Sequence, residues 1–273
     1  MSGRPETDTS RPLGLLAGAR GVFDVALDAM VWSRRSLLMA ALLLLPILFA
    51  LLYRFVLLAK LPAQLRGVDL YGVIVALYYV RNALPLAALF YAVSLIADEV
   101  EDKTITYLFT RPITRASILL GKFAAYLATT LTLTLPSLVI TFFLLLTARG
   151  FGDVAGSVHH LFRDAGVVAL TFLAYGALFT LFGVALRRPV IPGLLFLFVW
   201  ELLALLPGYL PRLTLTAYLR SLILHRPPDE NLAEVFGQVL PVATSLEAIA
   251  GMVVLFLGAA LWIFVHKEYV LEQ

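Results

Sequence analysis

The chain has 273 residues, 61% hydrophobic and 14% charged, with a mean hydropathy of +0.92. These values lie outside the range of soluble domains and inside that of multi-span membrane proteins, so counting globular domains by length does not apply. The formal charge of +3 is modest and its basic residues are spread over segment ends, which argues against a nucleic-acid partner, and the lack of cysteine excludes disulfides, thiolate metal sites and a cysteine nucleophile.

Residues 1–12 have the composition of a disordered tail. No signal peptide is readable, because Arg4, Arg11, Arg20, Arg34 and Arg35 precede the first apolar run. That run is therefore expected to stay as an anchor, and neither end carries a lipidation motif. From Leu13 a helical pattern puts Leu16, Phe23, Leu27 and Met30 on one face and Arg20, Asp24 and Asp28 on another. An amphipathic helix lying in the inner interface fits this pattern; a solvated helix packed on another part of the protein is the alternative.

Ser36 to Ala59 reads as span one, with Arg34 and Arg35 at its inner end. Arg54 lies about 27 Å further along at helical rise and is expected to snorkel to the outer headgroups. Span two reaches from about Tyr78 to Ala97, which places Arg81 about 24 Å from the inner end and the Tyr78-Tyr79 pair in an aromatic belt. Residues 98–122 follow, with eight charges that require water beside the membrane. In this segment Asp98, Glu99, Glu101 and Asp102 end one helix, and Ile105, Leu108 and Phe109 form an apolar patch. Arg111-Pro112 then breaks the chain before Thr114 caps the next helix. A short helix that shows apolar side chains to water needs a partner to cover them.

Span three runs from about Ile118 to Thr147 across Pro136, span four from Gly166 to Leu186, and span five from Val190 to Leu206 after Arg187-Arg188-Pro189. Residues 207–244 form a long outer connection with two amphipathic stretches. The first holds Leu215, Leu219, Leu222 and Ile223; the second holds Leu232, Val235, Phe236 and Val239, opened by the capping pair Asn231 and Glu234. Such helices either cap the outer mouth of the bundle or shield loop surface from water. Span six covers Ser245 to Val265, followed by His266-Lys267.

The fold class expected from these segments is all-α. It is a polytopic membrane protein with six transmembrane helices, an N-terminal interfacial helix (residues 1–35 with its tail), a membrane domain over 36–267 and a short tail at 268–273. Six spans put both termini on one side. Twelve Lys and Arg residues then fall inside against eight outside, with Arg81 set apart as intramembrane, so the termini are expected to be cytoplasmic and the membrane to be the inner one.

Glu201 is the strongly placed ionisable group within a span, about 17 Å into span five. An intramembrane carboxylate marks an ion or substrate pathway, or pairs with a polar group on a neighbouring helix. His159, His160, His225 and His266 have no metal-ligand spacing with a carboxylate. The run Ala116 to Phe123 resembles the tail of a phosphate-binding loop, but Ala116 stands where Gly is needed and Phe123 where a hydroxyl is needed. Gly121 and Lys122 are better explained by close helix packing and an inner-interface anchor. No metal and no cofactor is expected.

Glu99, Thr104, Leu108, Arg111-Pro112-Ile113-Thr114-Arg115 and Gly121-Lys122 resemble the cytoplasmic segment between spans two and three in type-2 permease subunits of ABC transporters. Trp200-Glu201, Pro207-Gly208, Leu213-Thr214 and Tyr218-Leu219 are similar to the end of span five in the same permeases. The resemblance implies a transport subunit without its own ATPase, acting in export, that works as a dimer of permeases, expected to be a homodimer, with two separate ABC ATPase subunits docked below. Residues 103–114 would then be the coupling helix, with Glu99, Thr104, Ile105, Leu108, Phe109, Arg111, Pro112 and Arg115 at the contact. Two other classes stand beside it: an intramembrane lipid-modifying enzyme using Glu201 and an outer histidine, and a structural component of a larger membrane complex.

Overall fold

A computed structural model describes residues 15–60, 66–101, 114–206, 209–223 and 240–267. Among these residues the regular structure is all helical, with no strand. Helix α1 spans Leu15–Val31 and α2 spans Arg34–Leu58; α3 (Gly67–Val73) continues through a π-helical stretch, Ile74–Ala83, into α4 (Leu84–Glu101). After the segment at 102–113, which lies outside the described residues, come α5 (Arg115–Leu146), α6 (Gly152–Ala185) and α7 (Val190–Phe198). Two 3₁₀ turns at Trp200–Leu205 and Leu210–Leu213 lead to α8 (Leu215–Ser221), and α9 (Val242–His266) closes the chain.

Among the described residues five helices are long and apolar enough to cross a membrane: Arg34–Leu58, Gly67–Ile96, Arg115–Leu146, Val154–Ala185 and Val242–His266. The expected sixth differs from the plain span read from sequence. The α-helix of span five stops at Phe198, and the chain tightens into a 3₁₀ turn that carries Glu201. Tertiary bonds explain the break: Trp200 Nε1 donates to the Leu213 carbonyl at 3.0 Å and Glu201 turns to meet the start of α8. Helical periodicity alone carries no sign of such bonds.

Packing orders the bundle. Of the apolar window of α6, 72% is buried, against 17% for α9, so α6 is central and α9 peripheral. Tyr126, Phe142, Phe172, Tyr175 and Phe179 fill the centre, and edge-on aromatic contacts such as Tyr126 with Phe172 add to plain burial. Close approach is bought by small residues: at Gly183 a Cβ would stand 2.6 Å from the Val93 carbonyl oxygen, so α4 and α6 meet backbone to backbone there.

The two interior prolines have different surroundings. Pro46 has no N–H for the Leu42 carbonyl four residues back, and the Tyr78 hydroxyl donates to that oxygen. Ser137, next to Pro136 in α5, donates to the adjacent Leu43 carbonyl at 2.7 Å and meets the Tyr79 hydroxyl at 2.7 Å. Tyr78 and Tyr79 thus bind helix α2 to α5 inside the bundle; the aromatic belt expected for them is replaced by this role.

Helix α1 lies along α5. Phe23, Leu27 and Met30 are half-buried and Arg20, Asp24 and Asp28 are exposed, which is the two-faced pattern of the sequence. Contact is close at Gly121, where a Cβ would come within 2.5 Å of the Ala19 carbonyl oxygen. Gly121 is therefore a packing glycine.

Candidate functional site

At the end of the bundle that carries the start of α5, three basic side chains are spent on helix carbonyls. The Thr114 hydroxyl accepts the Ser117 N–H and caps α5, which aims the first turn toward the ends of α4 and α9. Arg115 Nη1 donates to the Val265 carbonyl at 3.0 Å and the Lys267 carbonyl at 3.3 Å. Lys122 Nζ donates to the Leu95 carbonyl at 2.8 Å, and Lys267 Nζ to the Val184 carbonyl at 2.8 Å. Arg115 and Lys267 are cations on the last turns of α9 and α6, where orphan carbonyls and the negative end of the dipole favour them, whereas Lys122 holds a carbonyl inside α4, six residues before its end. Burial, and then the nearby Arg187 guanidinium, hold the Lys267 ammonium below the ordinary lysine value. The result is a chain of bonds from α4 through α5 and α9 to α6.

At the opposite end the polar cluster is built on Glu201. Its two carboxylate oxygens accept the backbone N–H groups of Leu215 at 3.3 Å and Thr216 at 3.2 Å, while the Thr214 hydroxyl accepts the Ala217 N–H at 3.3 Å. Three orphan donors of the first turn of α8 are thereby satisfied. The Thr216 hydroxyl bonds to the Tyr175 hydroxyl at 2.9 Å, which carries the link into α6. Glu201 is only 9% exposed, so this is a carboxylate that holds backbone rather than one facing water.

Beside it lies a cleft of about 90 Å³, lined by Arg81, Asn82, Pro85 and Leu86 from the α3–α4 helix, by Leu197 and Phe198 from α7, and by Glu201, Leu202 and Thr216. Arg81 comes from the π-helical stretch, whose wider turn changes which side chains share a face. Arg220, on α8, is buried; desolvation first, and then the Arg81 guanidinium, push it down to about 10. The Arg81 and Arg220 guanidinium groups and the Glu201 carboxylate thus lie at one end of the bundle.

The chain matches the model of the family described as ABC-2 family transporter protein over residues 78–269. The match takes in the clasp at α5, the Glu201 cluster and the cleft. The chain belongs to this family. A search of curated proteins found no match. As a family member the protein is a multi-pass membrane permease of an ABC transporter, a transport subunit whose transporter includes an ATPase.

The residues assigned by resemblance to the ATPase contact are placed only in part. Thr104, Ile105, Leu108, Phe109, Arg111 and Pro112 lie outside the described residues; Glu99 is in the last turn of α4, and Arg115 opens α5. Of the second external stretch, Leu232, Val235, Phe236 and Val239 also lie outside, whereas Leu215, Leu219 and Leu222 of the first are buried on α8.

Sequence reading missed Asp164. It is 1% exposed on α6 and lies against the Tyr71 hydroxyl. Starting span four at Gly166 left it in a loop, yet α6 begins at Gly152; the signal was Leu161, Asp164 and Val168 recurring on one helical face. Among the described residues no group of His, Asp and Glu has the arrangement of a metal site.

Proposed function

We propose that this permease is the membrane subunit of an ABC exporter, that it pairs with a second copy of itself, and that two ATPase subunits dock through residues 98–122. The observation that carries the reading is the clasp of Arg115, Lys122 and Lys267. It ties the helix entering that segment and the helix leaving it into one body with α6 and α9, so a push on the segment would move four helices together rather than bend one. The matched family region includes all of 98–122. The apolar outer faces of α2 and α9, with Leu48, Phe49, Phe55 and Trp262 exposed, suit lipid and a second permease. The charge census supports an inner-membrane protein with cytoplasmic termini.

The test is co-purification of the ATPase with a Leu108→Ser, Phe109→Ser double variant. Burying two such side chains contributes about 3 to 5 kcal/mol before ordering costs, so association should weaken by orders of magnitude at normal permease yield. Full retention of the ATPase would overturn the docking assignment.

A further inference from the structure

We infer that the cleft between the α3–α4 helix and α7 is a binding site for a phospholipid headgroup, with the lipid phosphate on Arg81. The inference goes beyond the transport role and does not depend on it.

Four observations meet at this place. First, Arg81 makes no hydrogen bond or ion pair among the described residues, although it lies within an apolar helix that runs from Gly67 to Ile96. A guanidinium at such a position needs an anion, and a planar fork of N–H donors matches a phosphate. Second, Arg81 stands fifteen residues from Ile96, about 22 Å at helical rise, which leaves its backbone about 8 Å short of the far boundary of a bilayer core about 30 Å thick, so its long side chain reaches the headgroups on the α8 side by extending toward them.

Third, the cleft is the size of a headgroup and not of a whole amphiphile, at about 90 Å³. Its polar wall offers the exposed Asn82 amide and an edge of Glu201, whose carboxylate is already held by the Leu215 and Thr216 N–H groups and by the Thr216 and Tyr175 hydroxyls. An ethanolamine ammonium next to the phosphate would offset the repulsion between phosphate and carboxylate. Fourth, an apolar stripe leads from the cleft along the bundle surface. Ile191, Leu195, Phe198 and Leu202 are all more than half exposed and recur at spacings of four, three and four, and the last two line the cleft itself. An acyl chain laid on that stripe would keep the headgroup seated.

The test uses the full-length permease in detergent, stripped of lipid and titrated with a short-chain phosphatidylethanolamine, binding being counted by native mass spectrometry. Parallel titrations use the matching diacylglycerol and inorganic phosphate. Wild type should take up the phospholipid at one saturable site, with diacylglycerol and inorganic phosphate each roughly tenfold or more weaker. Arg81→Gln should weaken phospholipid binding roughly tenfold, and Leu202→Trp, which fills the cleft and leaves Arg81 in place, should do the same. Each variant is compared at equal thermal midpoint and elution volume, so two independent substitutions guard against loss through misfolding. Undiminished binding by both folded variants would overturn the site. Diacylglycerol bound as tightly as the phospholipid would overturn the phosphate assignment, and inorganic phosphate bound as tightly would overturn the lipid.

Discussion

Lys122 on α5 holds the Leu95 carbonyl on α4 at 2.8 Å, joining the two helices between which residues 98–122 leave and re-enter the bundle. The bond turns a pair of adjacent helices into a stem of fixed spacing. Lys122→Met keeps most of the apolar stem of the side chain and removes the donor. It should cost about 1 to 2 kcal/mol, since Leu95 keeps its place in the helix, and lower the thermal midpoint of the purified permease by a few degrees. An unchanged midpoint would show that the bond adds nothing to the stem.

Glu201 binds two neighbouring N–H groups with two different oxygens, so its amide analogue is not a neutral replacement. Glu201→Gln offers one acceptor and one NH₂, and that NH₂ must face a backbone donor; about 1 to 2 kcal/mol should be lost. Glu201→Leu leaves both N–H groups of the first α8 turn buried without partners and should cost about 2 to 4 kcal/mol. Amide exchange at Leu215 and Thr216 is the direct readout, and it should rise in the order wild type, Gln, Leu. Equal protection in all three would remove the holding role.

Composition and hydropathy made the membrane class and most of the helices legible, because a bilayer demands long apolar helices and that demand is written in consecutive residues. Thr114 was legible as a cap and Gly121 as a packing residue for the same local reason. What escaped was decided by partners distant in sequence. The break at Val199 follows from bonds to Leu213, Leu215 and Thr216, and the Tyr78 hydroxyl goes to the carbonyl that Pro46 leaves free, thirty-six residues back. The clasp of Lys122 and Lys267 was half legible: lysines beside span ends read as interface anchors, while the carbonyls they hold depend on packing order. Asp164 was missed because a charge was taken as the edge of a span, whereas a buried helix end has room for one.

Gly121 makes a third prediction. A side chain there would collide with the Ala19 carbonyl, which is backbone and cannot rotate away. Gly121→Leu should lift α1 from α5 and leave the core of the bundle intact. Arg20, already exposed, should then be cut faster by trypsin in the solubilised permease, while cleavage after the exposed Arg187 serves as the internal reference. Equal rates at Arg20 in variant and wild type would mean that α1 does not depend on this contact.

Topology gives the fourth. The chain has no cysteine, so a single introduced thiol is read without background. The connection between α5 and α6 should lie outside the cell and residues 98–122 inside, because twelve basic residues fall on the latter side and eight on the former. Phe151 is 79% exposed at the end of the connection, just before α6, whereas Ser157, inside α6, is 9% exposed and its thiol would be shielded on either side. Phe151→Cys should react with a membrane-impermeant maleimide added to intact cells, and Thr104→Cys should react only after the membrane is opened. Labelling at 104 but not at 151 in intact cells would invert the orientation. It would also put the Arg115, Lys122 and Lys267 clasp on the face away from ATP, where no ATPase could use it.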